Sequence, residues 1–290
     1  MDELTSGLRA FAAEKRVDLL GTALIDRFDG VPANHHPRTI FPEVRSVVVV
    51  GKRITRGTLR GVEEGTQFDL YAQYGQSWLA DRMLAIITIS LATWLEDNRW
   101  EAVPIQDLPP EVPPSGVRVK PDLPPPNVMV DVRDAAVRAG VGEIGWCGEL
   151  LTPSFGPRQR LQIILTDAQL EPTPLLAEPV CDRCGECAAT CPLGAFRGGE
   201  HTISACGKEM AVADIDFAVC RQCRNGARPN PYHGAGLPDR LGALCVRTCV
   251  HHLEAAGRVT NTFAHPFRQR PAWQVDCNGS PSLQAEPGVK

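Results

Sequence analysis

The sequence has no basic block. Its 30 Lys and Arg are outnumbered by 34 Asp and Glu, for a formal net charge of −4. Such a chain lacks the electrostatic footprint that a polyanion requires, so no nucleic-acid partner is expected. The N-terminus, MDELTSGLRAFAAEKRVDLL, has neither a basic region leading into an apolar core nor twin arginines, so no export signal is read there. The most apolar helical stretch, around Met83–Trp94, reads as too short and too closely flanked by charge to span a bilayer. These absences predict a cytoplasmic protein with no membrane partner. No self-similar period of about 20–50 residues is found, which excludes a solenoid or propeller.

What the chain does have is cysteine, 11 in 290 residues. In a signal-free chain these argue for metal or redox chemistry ahead of disulfides. The hydrophobic content of 43% is enough for a sizeable core, and the length exceeds what a bare two-cluster ferredoxin needs.

Hydrophobic periodicity predicts helices over 4–15, 68–97 and 131–139. It predicts strands at Val17–Ile25, Val44–Ile54, Ala102–Ile105 and 161–167. Residues 107–126 are proline-rich and read as extended linker or lid. Alternating helix and strand implies an α/β (α+β) fold around one sheet. The predicted division is a cofactor-binding core at 1–170, a cysteine module at 171–258 and a wrapping tail at 259–290.

Cys181, Cys184, Cys187 and Cys191 stand in the spacing C-x2-C-x2-C-x3-C-P, the run of bacterial ferredoxins. Three thiolates two residues apart can wrap three corners of one cubane, and the fourth points to a second. Pro192 ends the wrap because it lacks an N–H. Soft thiolates match iron. A reciprocal set follows at Cys220, Cys223, Cys245 and Cys249. Exchange of the outer cysteines assigns Cys181, Cys184, Cys187 and Cys249 to cluster one. Cluster two takes Cys191, Cys220, Cys223 and Cys245. Cys206 is the rival ligand for cluster two, set aside because HTISACGKEMAVADIDF reads as a hairpin. Cys147 and Cys277 read as structural. Zinc also binds C-x2-C pairs, but four cysteines in this run are seldom a zinc site.

Gly140, Gly142 and Gly145 spell G-x-G-x-x-G, but a helical pattern precedes them where a dinucleotide site needs a strand. They read as ending a helix and letting backbone approach something flat or bulky.

The stretch RAGVGEIGWCGELLTPSFGPRQRLQIILTD, followed by the ferredoxin run, resembles the epoxyqueuosine reductase and reductive dehalogenase superfamily. FPEVRSVVVVGKRI and ATWLEDNRW are similar to that superfamily's N-terminal half, and the resemblance covers most of 40–255. It implies a nitroreductase-like core beside a ferredoxin-like module with two [4Fe-4S] clusters. It also implies a base-off cobalamin to which the clusters pass electrons, for reductive chemistry on a small molecule. Cofactor contacts carried over are Gly140, Gly142, Glu143, Gly145, Thr152, Phe155, Gly156 and Arg158. Asp134 and Tyr74 are the candidate proton donors. Expected partners are a small-molecule substrate and a low-potential donor such as ferredoxin or flavodoxin, with a homodimer left open. Trp146 and Cys147 stand where the epoxyqueuosine reductases have Lys and Asn, and Ser154 replaces a glutamate. With no tRNA-binding repeats after the cysteine module, a cytosolic paralogue with its own substrate is the expectation. Two other readings stay open: a non-enzymatic electron-transfer or corrinoid-handling protein, and an iron–sulfur flavoprotein.

Overall fold

The computed structural model describes residues 2–106, 115–230 and 237–284. Most of the first half of the proline-rich segment, 107–114, thus lies outside the described residues.

The chain opens with helix α1 (Glu3–Glu14), whose first turn is closed by Asp2 accepting from the Thr5 amide at 2.6 Å. Strands β1 (Leu19–Leu24) and β2 (Ser46–Arg53) follow. A long helix α2 (Asp69–Asp97) leads to β3 (Ala102–Ile105), helix α3 (Val132–Arg138) and β4 (Gln159–Thr166). The four strands form one antiparallel sheet in the order β1-β2-β4-β3.

β2 shows why this sheet is central. Its run Val47–Val50 is fully buried on both faces. Strand alternation sends Val47 and Val49 to one side, with Leu161, Ile163 and α3 residues Ala135 and Ala136. Val48 and Val50 go to the other, with Leu8 of α1 and Leu84, Leu91 and Leu95 of α2. Each buried valine stabilises the fold by roughly 1.5–3 kcal/mol over its exposed state. The sheet therefore carries helices on both faces.

α2 matches the helix expected over 68–97, but differs from the reading that its apolar stretch is too short to span a bilayer. It runs for 29 residues and is long and apolar enough, by length and composition, to cross a membrane; 33% of its most apolar window is buried. Its inner side packs on the sheet, and Leu70, Tyr74, Trp78, Met83, Ile86 and Ile89 are exposed along the other. Over Ala72–Ser77 and Leu79–Leu84 its turns widen to π geometry.

The cysteine segment is interlocked with this core. Its hairpin, β5 (Phe196–Ala205) and β6 (Lys208–Ile215), sends Ala205, Met210 and Val212 into the buried cluster that holds Val47 and Ile163. Helix α4 (Leu244–Ala255) packs Val250 against Ile54, Leu59 and Phe267, and Leu253 against Leu151. Phe267 places the tail in the same core, fully buried. The Asn225 side chain clamps the ribbon Trp273–Val275, donating to Val275 O at 2.9 Å and accepting from Val275 N at 2.7 Å.

Candidate functional site

Two groups of thiols flank the hairpin and α4. The first is built from the loop after Val180 and from α4. Glu143, 3% exposed, accepts from the amides of Val180 at 2.8 Å and Cys181 at 2.7 Å, and pairs with Lys208 at 2.8 Å. These bonds hold the start of the cysteine loop against the core. The loop then winds tightly, with Arg183 and Gly185 at φ +59° and +76°. At a non-glycine residue that conformation costs roughly 1–2 kcal/mol. Cys181, Cys184, Cys187 and Cys249 border one small cavity together with Trp146 and Cys147. The Trp146 amide donates to Cys181 Sγ at 3.4 Å. His252 closes the rim, bonded to Asp182 at 2.7 Å and Glu186 at 3.0 Å.

The second group gathers around Cys220, which lies within electrostatic reach of Cys191, Cys223 and Cys245. Asp216 caps the short helix that presents Cys220, accepting from Val219 N at 3.1 Å. The amides of Ala195 and Asn225 donate to Cys191 and Cys223 sulfurs at 3.5 and 3.4 Å. Cys206 stands apart at the tip of the β5–β6 hairpin, bonded to Arg27 O at 3.4 Å and facing Arg138.

Burial raises the thiols of Cys181, Cys184 and Cys245, and pushes Cys220 up to about 11. For Cys187 and Cys249 a bond to Cys147 raises them first, and burial adds to it. As bare thiols these groups hold their protons; a bound cation reverses that preference, because the ligand must be the thiolate. Two four-sulfur sets, each receiving backbone N–H bonds, fit soft metal clusters.

Beside the thiols lies a cavity of about 490 Å³. Its walls come from α3, β4, the hairpin, the first half of α2, the 148–150 turn and the 237–241 segment. Five of its charged residues, Arg240, Glu149, Asp134, Asp239 and Arg160, are tied into the wall by ion pairs. Arg240, 5% exposed, pairs with Glu149 at 2.8 Å and donates to Cys147 O at 2.9 Å. It thus joins the cavity wall to the strap over the first thiol group, and also lies within electrostatic reach of Cys220 and Cys245. Burial lifts the Glu149 carboxyl above the ordinary range in spite of that cation. Burial likewise lifts Asp134, opposed by its bond to Arg138 Nε at 2.6 Å. Further along the wall Asp239 accepts from Tyr71 Oη at 2.8 Å and from Arg160 at 2.5 Å. Tyr71 is fully buried, and burial followed by Asp239 pushes its phenol well up.

Of the two candidate proton donors, Asp134 lines this cavity. Tyr74 is 46% exposed and packs on Trp78 at 5.4 Å; Tyr71, one turn away, is the tyrosine tied to the wall. The predicted cofactor contacts face protein. A Cβ on Gly140 would meet Pro174 O at 2.0 Å, one on Gly142 would meet Leu151 O at 2.3 Å, and one on Gly145 would meet Leu151 Cδ1 at 2.6 Å. The glycines let the turn pack on its own neighbours. Glu143 holds the cysteine loop. Thr152 accepts from Phe155 N and is bonded to Gln159, and Gly156 lies against Leu253 of α4. Phe155 is buried under Arg53. Arg158 is pinned by Ile54 O at 2.8 Å and Asn261 at 3.0 Å, and burial lowers its guanidinium to about 10. These eight residues brace the junction between core and module, and the same segment reaches the cavity through Gly148, Glu149, Gln159 and Arg160. Glu149, Asp239 and Arg240 escaped sequence reasoning. Their one signal was a charge set between small and apolar residues, as in CGELL and PDRLGALC.

No protein-family profile matches the chain. Over 64 residues it is 41% identical to a tetrachloroethene reductive dehalogenase of Desulfitobacterium hafniense, a match covering 21% of this chain and 12% of the relative. A tetrachloroethene reductive dehalogenase of Sulfurospirillum multivorans is 37% identical over 70 residues, covering 23% and 14%. Among solved structures, the catabolic reductive dehalogenase NpRdhA superposes with a TM-score of 0.55 at 17% identity, over 97% of this chain and 42% of that one. A structure described as suggesting a mechanism for B12-dependent dehalogenation superposes with a TM-score of 0.50 at 16% identity, over 97% and 42%. The chain therefore has the mixed helix-and-sheet fold of the reductive dehalogenases, and spans less than half the length of these proteins.

Proposed function

We propose that this chain is an iron–sulfur, corrinoid-dependent reductase that delivers electrons through its two thiol-bound clusters to a substrate-binding cavity. The observation that carries the reading is Arg240, which lines the 490 Å³ cavity, bonds the Cys147 carbonyl of the strap beside the first thiol set and lies within electrostatic reach of Cys220 and Cys245 of the second. The reductive dehalogenase fold, including a neighbour described by B12-dependent chemistry, supports a corrinoid as the cavity's occupant. So does the lining. Gln76, Gln106, Gln159, Gln162 and Asn230 supply amides for a carboxamide-rich rim, and Val137, Ile144, Leu161 and Met210 supply apolar wall for a flat macrocycle. Bound there, a base-off cobalamin would supply a low-valent metal for reductive cleavage of a substrate bond.

The chain's own residues would do the rest. The thiols hold the clusters. Cys147 and Gly148 join the first thiol set to the cavity wall, so the path between them is one strap of backbone. Asp134, whose carboxyl burial keeps protonated to higher pH, would deliver the proton that reductive cleavage requires. Glu149 is a second acid on the same wall. The hairpin and the 237–241 segment cover the cavity and limit water.

Metal analysis and an absorption spectrum of anaerobically purified protein test this reading. About eight irons and one cobalt per chain are expected, from two four-iron clusters and one corrinoid. Stoichiometric zinc without iron would overturn it. Iron with flavin bands and no cobalt would replace the corrinoid by flavin. Iron and cobalt without turnover of any reducible substrate would make the chain a carrier.

A further inference from the structure

We infer that Cys147 is a reserve ligand of cluster one, placed to take over the iron held by Cys184. The inference rests on the iron–sulfur reading above and asks which thiols serve one of its clusters. Five thiols, not four, border the first cavity. Cys147 is 3% exposed, and it borders the same small cavity as Cys187 and Cys249. The strap that carries it is fixed on each side. Trp146 N donates to Cys181 Sγ at 3.4 Å, Cys147 O accepts from Arg240 at 2.9 Å, and Gly148 turns back on Gly145 O at 2.8 Å.

Cys184 is placed differently. It is the exposed member of the five. Its sulfur lies within 4.8 Å of an Asp182 carboxylate oxygen and a His252 ring nitrogen, a polar group on the outer rim. Of the other four thiols around this cavity, Cys147 and Cys187 are buried and Cys181 and Cys249 are half-buried. A core thiol that merely fills space would have no reason to border a cavity whose other sulfurs are the four ligands, drawn from two different segments.

The exchange is balanced without any redox partner. The iron–sulfur bond to Cys184 breaks, a bond to Cys147 forms, and the proton leaving the Cys147 thiol is taken up by the Cys184 thiolate. Charge and oxidation states are unchanged. The polar rim of Asp182 and His252 accommodates the released side chain.

The test uses full-length holoprotein prepared without oxygen, with iron content and the paramagnetic-resonance signal of the reduced clusters as readouts. The wild-type chain should hold about eight irons, and both Cys184→Ala and Cys147→Ala should keep about eight. The double variant should fall to about four and lose one cluster signal. A fall to about four in Cys184→Ala alone would overturn the inference, as would the same fall in Cys147→Ala alone. Should Cys184→Ala fail to fold, alkylation of the wild-type holoprotein decides. Labelling of Cys184 with iron retained supports the exchange; iron lost in step with Cys184 labelling overturns it. Absence of iron from the wild-type protein would sink the proposed function itself, and so is distinguishable.

Discussion

The two thiol groups are built on different plans. The first takes three of its cysteines from one short loop, held by Glu143, with a fifth thiol behind it and one member turned to the solvent rim. The second draws Cys191, Cys220, Cys223 and Cys245 from the loop before the hairpin, the short helix after it and α4, next to the buried cation Arg240. Local chain geometry organises the first. Long-range folding organises the second, so the second group is the one that ties separate segments together.

The sharpest way to break this contrast is Cys245→Ala. It should abolish turnover, remove about half of the iron and loosen α4 from the hairpin, since metal binding by segments that meet only in the folded state counts as folding energy. Iron analysis with thermal unfolding checks it; a variant that loses its iron without loss of thermal stability would erase the difference between the two groups.

Arg240→Met should come next. It leaves Glu149 buried beside a missing cation, a loss of about 3–5 kcal/mol in denaturant unfolding. Adding Glu149→Gln should restore part of it. If the double variant is no better than the single, the pair does not act as a unit.

Glu143→Gln tests the first group's anchor. The amide keeps the hydrogen bonds' geometry but loses the charge that faces Lys208 and two backbone amides, so we expect a loss of about 2 kcal/mol. Loading of cluster one should slow while cluster two loads normally, read by following iron uptake in time.

The smallest expected effect concerns pH. Burial raises the folded Asp134 carboxyl above its unfolded value. The folded state then binds the proton more tightly than the unfolded chain. That contribution is fully present below the unfolded pKa and is lost as pH rises through the raised folded value. Asp134→Asn should flatten stability over that window. An unchanged slope would mean that another group sets it.

Much of this organisation was legible because spacing carries it. The strand expected at Val44–Ile54 forms as β2, and HTISACGKEMAVADIDF forms the expected hairpin, with Cys206 bonded to Arg27 O. The cavity wall was not legible, because its polar groups pair across long separations: Arg160 with Asp239, 79 positions apart, and Arg240 with the carbonyl of Cys147, 93 apart. No local pattern encodes such pairs. That Tyr71, and not the predicted Tyr74, is the tyrosine bonded to Asp239 of the wall was hidden for a different reason. The π turns of Ala72–Ser77 begin directly after Tyr71 and include Tyr74, so the 3.6-residue phase that would say which faces inward no longer applies across the pair. The glycines of the 140–145 turn were legible as places of close approach, but not for what approaches, since a carbonyl of the same chain demands the missing Cβ as strictly as any cofactor.

The clamp of Asn225 on Val275 has a consequence in time. Asn225 follows Cys223 by two residues and donates its own amide to that sulfur, whereas the strand it grips lies 50 residues later. During synthesis the loop of the second thiol group emerges long before its latch exists. For that interval the loop that carries Cys223 lacks the two bonds to Val275. When Trp273–Val275 docks, the side chain engages it as a strand edge would, one group donating and one accepting.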